Sequence, residues 1–199
     1  MSGVKQTTLV IGEGITEFFF LNSLKDDYPI LRSVSPDSPK NTSVEELEVK
    51  IEKSIKYYNR IFCIIDMDNK QGVVLDKYLE LKAKYHKKAI KNDSEGIDCY
   101  IQFFETDCCS EVFFLYYFEY TTRKFSSYEE VKIALRRYCD YDKTIKFFKN
   151  HPPHKYFEKQ GGNLGKAIEN AQKSCLYRAK TDADCSFSEL GEMFELLLK

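Results

Sequence analysis

Two stretches decide the fold of this chain: Thr8-Leu9-Val10-Ile11 running into Gly12-Glu13-Gly14-Ile15-Thr16-Glu17, and Ile61-Phe62-Cys63-Ile64-Ile65 running into Asp66-Met67-Asp68. Each joins a short apolar run to acidic residues. Unbroken apolar runs of this length are what strands buried on both faces of a parallel sheet carry. Acids directly after such strands lie at the carboxyl edge of the sheet, where open α/β folds form their crevices. Glycines on either side of Glu13 let the backbone bend tightly there. Alternate residues of an extended segment point the same way, so Asp66 and Asp68 share one crevice while Met67 turns toward the core. Carboxylates gathered on one edge repel each other unless a cation lies among them. Hard divalent ions such as Mg²⁺, with Mn²⁺ as a substitute, take oxygen ligands of this kind. The pattern predicts metal-dependent phosphoryl transfer with Glu13, Asp66 and Asp68 as ligands. A lone D-x-D is also what a polar turn after a strand contains, so the weight rests on two motifs after two separate strands.

Working outward, 5–11 reads as the first strand and 16–26 as a helix that Thr16 caps and whose first turn holds Glu17. That placement explains Glu17 without any chemistry as readily as with it. Leu31 to Val34 reads as a second strand, and the proline- and serine-rich 35–42 as a loop. Ser43-Val44-Glu45-Glu46 opens a helix with a capping box and apolar residues at Val44, Leu47, Ile51 and Ile55. A central strand over 60–65, a helix over 72–88, a strand over 97–104 and an aromatic helix from Ser110 complete the alternation. Strand alternating with helix predicts an α/β fold: a mainly parallel sheet flanked by helices. Past about Ser126 strand signals vanish, and helices are expected over 128–138, 164–177 and 187–198. The expected division is an α/β domain over 1–125 and a helical extension over 126–199 packed on it.

With 30 Lys and Arg against 31 Asp and Glu, the balance does not favour a histone-like or polybasic nucleic-acid binder, and it leaves room for a local basic groove. No apolar stretch is long enough for a membrane span, and the first residues lack a signal peptide's apolar region. Seven cysteines without a C-x-x-C pair predict reduced, mostly buried thiols in a cytoplasmic protein rather than a zinc site or disulfide framework.

The acidic motifs together resemble the Toprim fold of topoisomerases, primases and several nucleases, in which a Glu after the first strand and a later D-x-D hold Mg²⁺. Glu13-Gly14-Ile15-Thr16-Glu17, Asp66-Met67-Asp68 and Cys109-Ser110-Glu111-Val112-Phe113-Phe114-Leu115 are, in that order, similar to the motifs of the RloB-like family of bacterial defence proteins. Ala167-Ile168-Glu169-Asn170-Ala171-Gln172 matches its later A-I-x-x-A pattern loosely, and the closing helix follows, so the likeness spans nearly the whole chain. Asp107-Cys108 stands where the family usually has Asn-Pro, Ser110 replaces an apolar residue, Phe113 a Trp, and Tyr117 falls where a His is common. The resemblance implies a Mg²⁺-dependent nuclease in antiviral defence, acting on DNA or RNA beside an ATPase partner encoded nearby. It also implies a role for Glu111, which helix N-terminal charge complementarity explains equally.

The same residues leave other readings open. A noncatalytic Toprim-like subunit would bind nucleic acid or the ATPase without cutting. A Mg²⁺-dependent phosphatase or nucleotidyl transferase would use the same carboxylates on a small substrate. Gly161-Gly162-Asn163-Leu164-Gly165-Lys166 is one residue short of a phosphate-binding loop and follows no strand, so it is expected to lead into a helix. His151-Pro152-Pro153-His154 lacks helical spacing and reads as a rigid loop. The basic segment 146–159 interleaves Phe147, Phe148, Tyr156 and Phe157, which suit either base stacking or an amphipathic helix. The aromatics from Phe113 to Phe118 surround too many helix faces for a surface element and are expected in the core.

Overall fold

The computed structural model describes residues 7–38, 41–68, 70–91 and 98–199. Lys5 and Gln6 of the expected first strand, Pro39 and Lys40 of the expected loop and Ile97 of the strand expected over 97–104 lie outside them. Four parallel strands form the centre of the sheet: β1 (Thr8–Ile11), β2 (Val34–Asp37), β3 (Arg60–Asp66) and, after the short β4 (Lys88–Ile90), the long β5 (Cys99–Asp107). The order is β2-β1-β3-β5-β4, with β4 antiparallel to β5. Helix α1 (Ile15–Leu24) joins β1 to β2, α2 (Val44–Ser54) joins β2 to β3, and α3 (Val73–Tyr85) follows β3. The expected α/β fold with a mainly parallel, helix-flanked sheet is the one observed.

The pleat of the strands sorts the core into two layers. Val10, Phe62, Ile64 and Phe104 face α1, α4 (Glu111–Tyr116), α5 (Tyr128–Leu135), α6 (Ile145–Asn150), α7 (Pro153–Lys159), α8 (Leu164–Thr181) and, after the two-residue strand β6 (Phe187–Ser188), α9 (Leu190–Leu197). Leu9, Ile11, Ile61, Cys63, Ile65 and Phe103 face α2 and α3 on the opposite side. Because the connection through α1 runs over one face and the connection through α2 returns over the other, the strand order reverses between β1 and β3. The crevice beyond their carboxyl ends is the topological switch point at which open sheets bind ligands.

Local chemistry accounts for where the elements differ from expectation. Pro29, with no N–H to lose, starts a 3-10 turn over Pro29–Ser33, so the second strand begins at Val34 instead of ending there. Pro36 is tolerated in that strand because β2 is the sheet's edge. Helix α3 stops at Tyr85, and Lys87, in the left-handed region at φ 57°, turns the chain into β4, which the uninterrupted polar pattern hid. Strands do not end at Ser126: β6 pairs with Thr106 and Asp107 of β5, though two residues are too few to leave a periodic signal. Thr16 does not cap α1; Gly14 holds that position, and the Glu17 carboxylate accepts from its N–H at 2.9 Å. Ser43 does cap α2, accepting from Glu46 N at 3.3 Å.

The aromatics behave as core. Phe113, Phe114, Tyr116 and Tyr117 are buried, and Phe113, at the family's Trp position, stacks on Phe194 with centroids 5.3 Å apart. In the 146–159 segment Phe148 and Phe157 are also buried, with Phe147 and Tyr156 packed against the same cluster, so the rings that suited base stacking are spent on packing. All seven cysteines are unpaired, and six are buried. Among the described residues, no helix is long and apolar enough to cross a membrane.

Candidate acidic site at the sheet edge

Glu13, Glu17, Asp66 and Asp68 line one open cleft of about 440 Å³ beyond β1 and β3, with Thr42, Cys109, Tyr128 and Lys143 completing its wall. Each acid is delivered by a different backbone device. Glu13 sits in the turn after β1, where Gly12 N–H is held by Asp37 O at 3.1 Å. A Cβ on Gly12 would lie 2.6 Å from Glu17 Cβ, so only glycine lets the first turn of α1 close against the strand end. Gly12→Ala is therefore expected to displace Glu17 and cost about 1–3 kcal/mol, typical of overpacking, read by urea denaturation. An unchanged midpoint would show that α1 moves freely. Asp66 ends β3, and its Oδ1 accepts from the Thr106 hydroxyl at 2.8 Å and the Ser110 hydroxyl at 3.0 Å. Thr106 is the cross-strand partner of Asp66 in the register. Ser110, an apolar position in the family pattern, here orients the central carboxylate.

Glu111 does not line the cleft. It is 0% exposed behind it, at the start of α4, with Oε1 accepting from Thr16 Oγ1, Tyr141 Oη and Lys143 Nζ, each at 3.1 Å. Its other oxygen, Oε2, is buried without a hydrogen-bond partner among the described residues. The charge nevertheless reaches the cleft: Glu111 is the leading electrostatic influence raising Glu17 after burial itself. Burial, then the charges of Glu17, Glu111 and Glu13, holds Asp66 well above the ordinary carboxylate range. Burial also raises Glu13, against the opposing pull of Lys70.

Two lysines moderate this field, and neither stood out in the sequence. Lys70 Nζ, nearly buried, lies 2.7 Å from Glu13 Oε1 and 3.3 Å from the backbone oxygen of Asp66. Lys143 bridges Glu111 and the cleft wall, and the surrounding acids raise it above its ordinary range despite burial. The one available signal for Lys70 was its place four residues after Asp66. Lys143 arrives from a loop far along the chain and left none. Among the described residues, Glu13, Asp66 and Asp68 do not close to within 4.8 Å as a trio; Lys70 is bonded to Glu13, and two hydroxyls to Asp66.

The donor set suits a hard divalent cation. It is all oxygen, the carboxylates destabilise one another, and an ammonium already sits against Glu13 and the backbone oxygen of Asp66.

The fold and this edge define a class: α/β proteins with a carboxylate cluster at the switch point of a parallel sheet. Residues 8–197 match the family model described as RloB-like protein, and the chain belongs to that family. No curated protein and no solved structure matches it.

The other sequence features resolve structurally. Asn163 caps α8, accepting from Lys166 N at 2.9 Å, and Lys166 Nζ donates to Phe118 O, so the glycine-rich segment is a helix entry as expected. Pro153 opens α7, and His154 lies within it instead of in a loop. The hydroxyl of Tyr117, at the position where a His is common in the family, lies 3.2 Å from His154 Nδ1.

Proposed function

We propose that this protein is a Mg²⁺-dependent, Toprim-type nuclease of bacterial antiviral defence, hydrolysing phosphodiester bonds of DNA or RNA in concert with an ATPase partner. The observation that carries the reading is the cleft at the β1–β3 switch point, in which Asp66, Glu17 and Glu13 all hold protons more tightly than ordinary carboxyls. Asp66, Asp68 and Glu13 would hold the ion. When bound, it supplies Lewis-acid polarisation of the scissile phosphate and charge stabilisation on the leaving oxygen. The remaining work falls to the chain itself. Glu13, raised by burial and hydrogen-bonded to Lys70, is suited to take a proton from the attacking water. Lys143, on the cleft wall, offers a cation to a nonbridging phosphate oxygen. Thr106 and Ser110 keep Asp66 in one rotamer, and Glu111 anchors Lys143 from behind. The partner is taken to supply nucleotide hydrolysis, since the glycine-rich segment of this chain is a helix cap.

A second reading, a noncatalytic subunit that binds nucleic acid or the ATPase, is favoured by Lys70, whose ammonium already partly compensates the cleft's charge. Mg²⁺ and Mn²⁺ titrated into wild type and Asp66→Ala/Asp68→Ala, each with labelled tRNA, single-stranded DNA and plasmid, separate the two. Metal-dependent cleavage lost in the variant supports the nuclease. Consumption of a mononucleotide, supplied in a parallel reaction in place of the polymers, instead indicates a small-molecule enzyme. Wild type that binds neither ion at millimolar concentration leaves the interaction subunit.

A further inference from the structure

At the far end of α1 from the acidic cleft, Asp27, His154 and Glu158 each bring one ligand atom within 4.8 Å of the others. Glu158 Oε1 lies 3.6 Å and Asp27 Oδ2 3.8 Å from His154 Nε2. Tetrahedral ligands at metal bonds of about 2.0–2.2 Å stand roughly 3.3–3.6 Å apart, so only a small closure is needed. The imidazole is 1% exposed, while the two carboxylates are 42% and 44% exposed, giving the cluster a buried wall and a side open to water. Nε2 is buried without a hydrogen-bond partner among the described residues. His154 and Glu158 are one helical turn apart on α7, which aims both at the turn after α1.

We propose that Asp27, His154 and Glu158 form a second metal site, taking a divalent transition ion of the Zn²⁺ type. An imidazole nitrogen with two carboxylate oxygens suits such an ion better than Mg²⁺ or Ca²⁺, which prefer oxygen alone. The Tyr117 hydroxyl at Nδ1 supplies the outer partner that orients a ligating histidine and leaves Nε2 for the ion. Of the neighbouring cations, Lys155 is engaged with Asp26 at 2.8 Å. The backbone is already docked, His154 N donating to Ser23 Oγ at 3.0 Å. A bound ion would therefore clamp α7 onto α1, the helix whose first turn carries Glu17. The competing arrangement is an imidazolium ion-paired to both acids with no metal.

The test uses the full chain carrying Glu13→Gln/Asp66→Asn/Asp68→Asn, so that the three carboxylates proposed to hold an ion in the acidic cleft are removed, stripped with a chelator and titrated with Co²⁺. Visible d–d absorption saturating at one equivalent and displaced by Zn²⁺ is expected. Binding should weaken at least tenfold in Asp27→Asn and in Glu158→Gln, both solvent-exposed changes that leave the core intact. Absence of the visible band overturns the site. So does a band with thiolate charge-transfer character whose affinity is the same in both variants, because the ion would then sit on cysteines.

Discussion

Asp66→Asn is expected to lower metal-dependent cleavage on the order of a thousandfold and to raise the melting temperature of the metal-free protein. The two effects have one cause. Asp66, Glu17 and Glu13 are all held above the ordinary carboxylate range, mainly by burial and, for Asp66, by the charges of Glu17, Glu111 and Glu13. A carboxyl raised on folding binds its proton more tightly in the native state, so its ionised form costs stability at every pH above its native value. As pH falls through the raised native values that cost is lifted, until the unfolded chain's carboxyls protonate near pH 4. Metal-free wild type should thus grow more stable from neutral pH down to that range, before general acid effects set in. Asp66→Asn removes part of this dependence, and each kcal/mol released corresponds to about 2–4 °C for a chain of this size. Saturating Mg²⁺ should raise the wild-type melting point while leaving the variant nearly unmoved. Thermal scans of both proteins at pH 5 and pH 8, with and without Mg²⁺, check the prediction. A variant less stable than wild type at pH 8 without metal would mean that the hydrogen bonds from Thr106 and Ser110 outweigh the repulsion.

Lys143→Met is expected to be the most destabilising single change near the cleft. It strips Glu111, 0% exposed, of the ammonium that pairs with it while Thr16 and Tyr141 remain as neutral donors. Breaking a buried pair from one side typically costs 3–5 kcal/mol. The lower end, about 3 kcal/mol, applies here because Lys143 is itself 35% exposed. The melting point should fall by roughly 6–12 °C. Adding Glu111→Gln should recover most of that loss, since the amide oxygen still accepts from Thr16 and Tyr141, but it should not restore cleavage, because the cation on the cleft wall is gone. A double variant no more stable than Lys143→Met would show that Glu111 is not the group left exposed to the loss.

What the sequence made legible follows from how local each signal is. Buried parallel strands announce themselves as apolar runs, so β1 and β3, the acids after them and the mainly parallel sheet could be read directly. Ser43 as a cap was equally readable, because its partner Glu46 is three residues away. The elements that were misplaced depend on conformations that composition does not encode: the left-handed Lys87 that diverts α3 into β4, and the 3-10 turn after Pro29 that delays β2. In the site, Glu13, Asp66 and Asp68 were legible as neighbours on a common cleft, and Glu17 joined them only once the close approach at Gly12 was visible. The groups that tune those carboxylates come from elsewhere in the chain. Thr106 and Ser110 lie on and after β5, while Tyr141 and Lys143 lie on a loop, and none stands at a spacing that ties it to the motifs it serves. His151-Pro152-Pro153-His154 reads as a loop because of its prolines, whereas Pro153 opens a helix that sets His154 one turn before Glu158.

β6 has a consequence for the life of the protein before it is a finished molecule. Thr106, whose hydroxyl steadies Asp66, has its cross-strand neighbour in Ser188, which leaves the ribosome long after the rest of the sheet. Chains generally fold from the N-terminal side as they emerge, so β5 spends that interval with an open edge at Thr106 and Asp107. Open edges recruit foreign strands. A message cut short between α4 and β6 would therefore yield a sticky client for chaperones and proteases, and completion of synthesis would itself act as a safeguard on the acidic cleft.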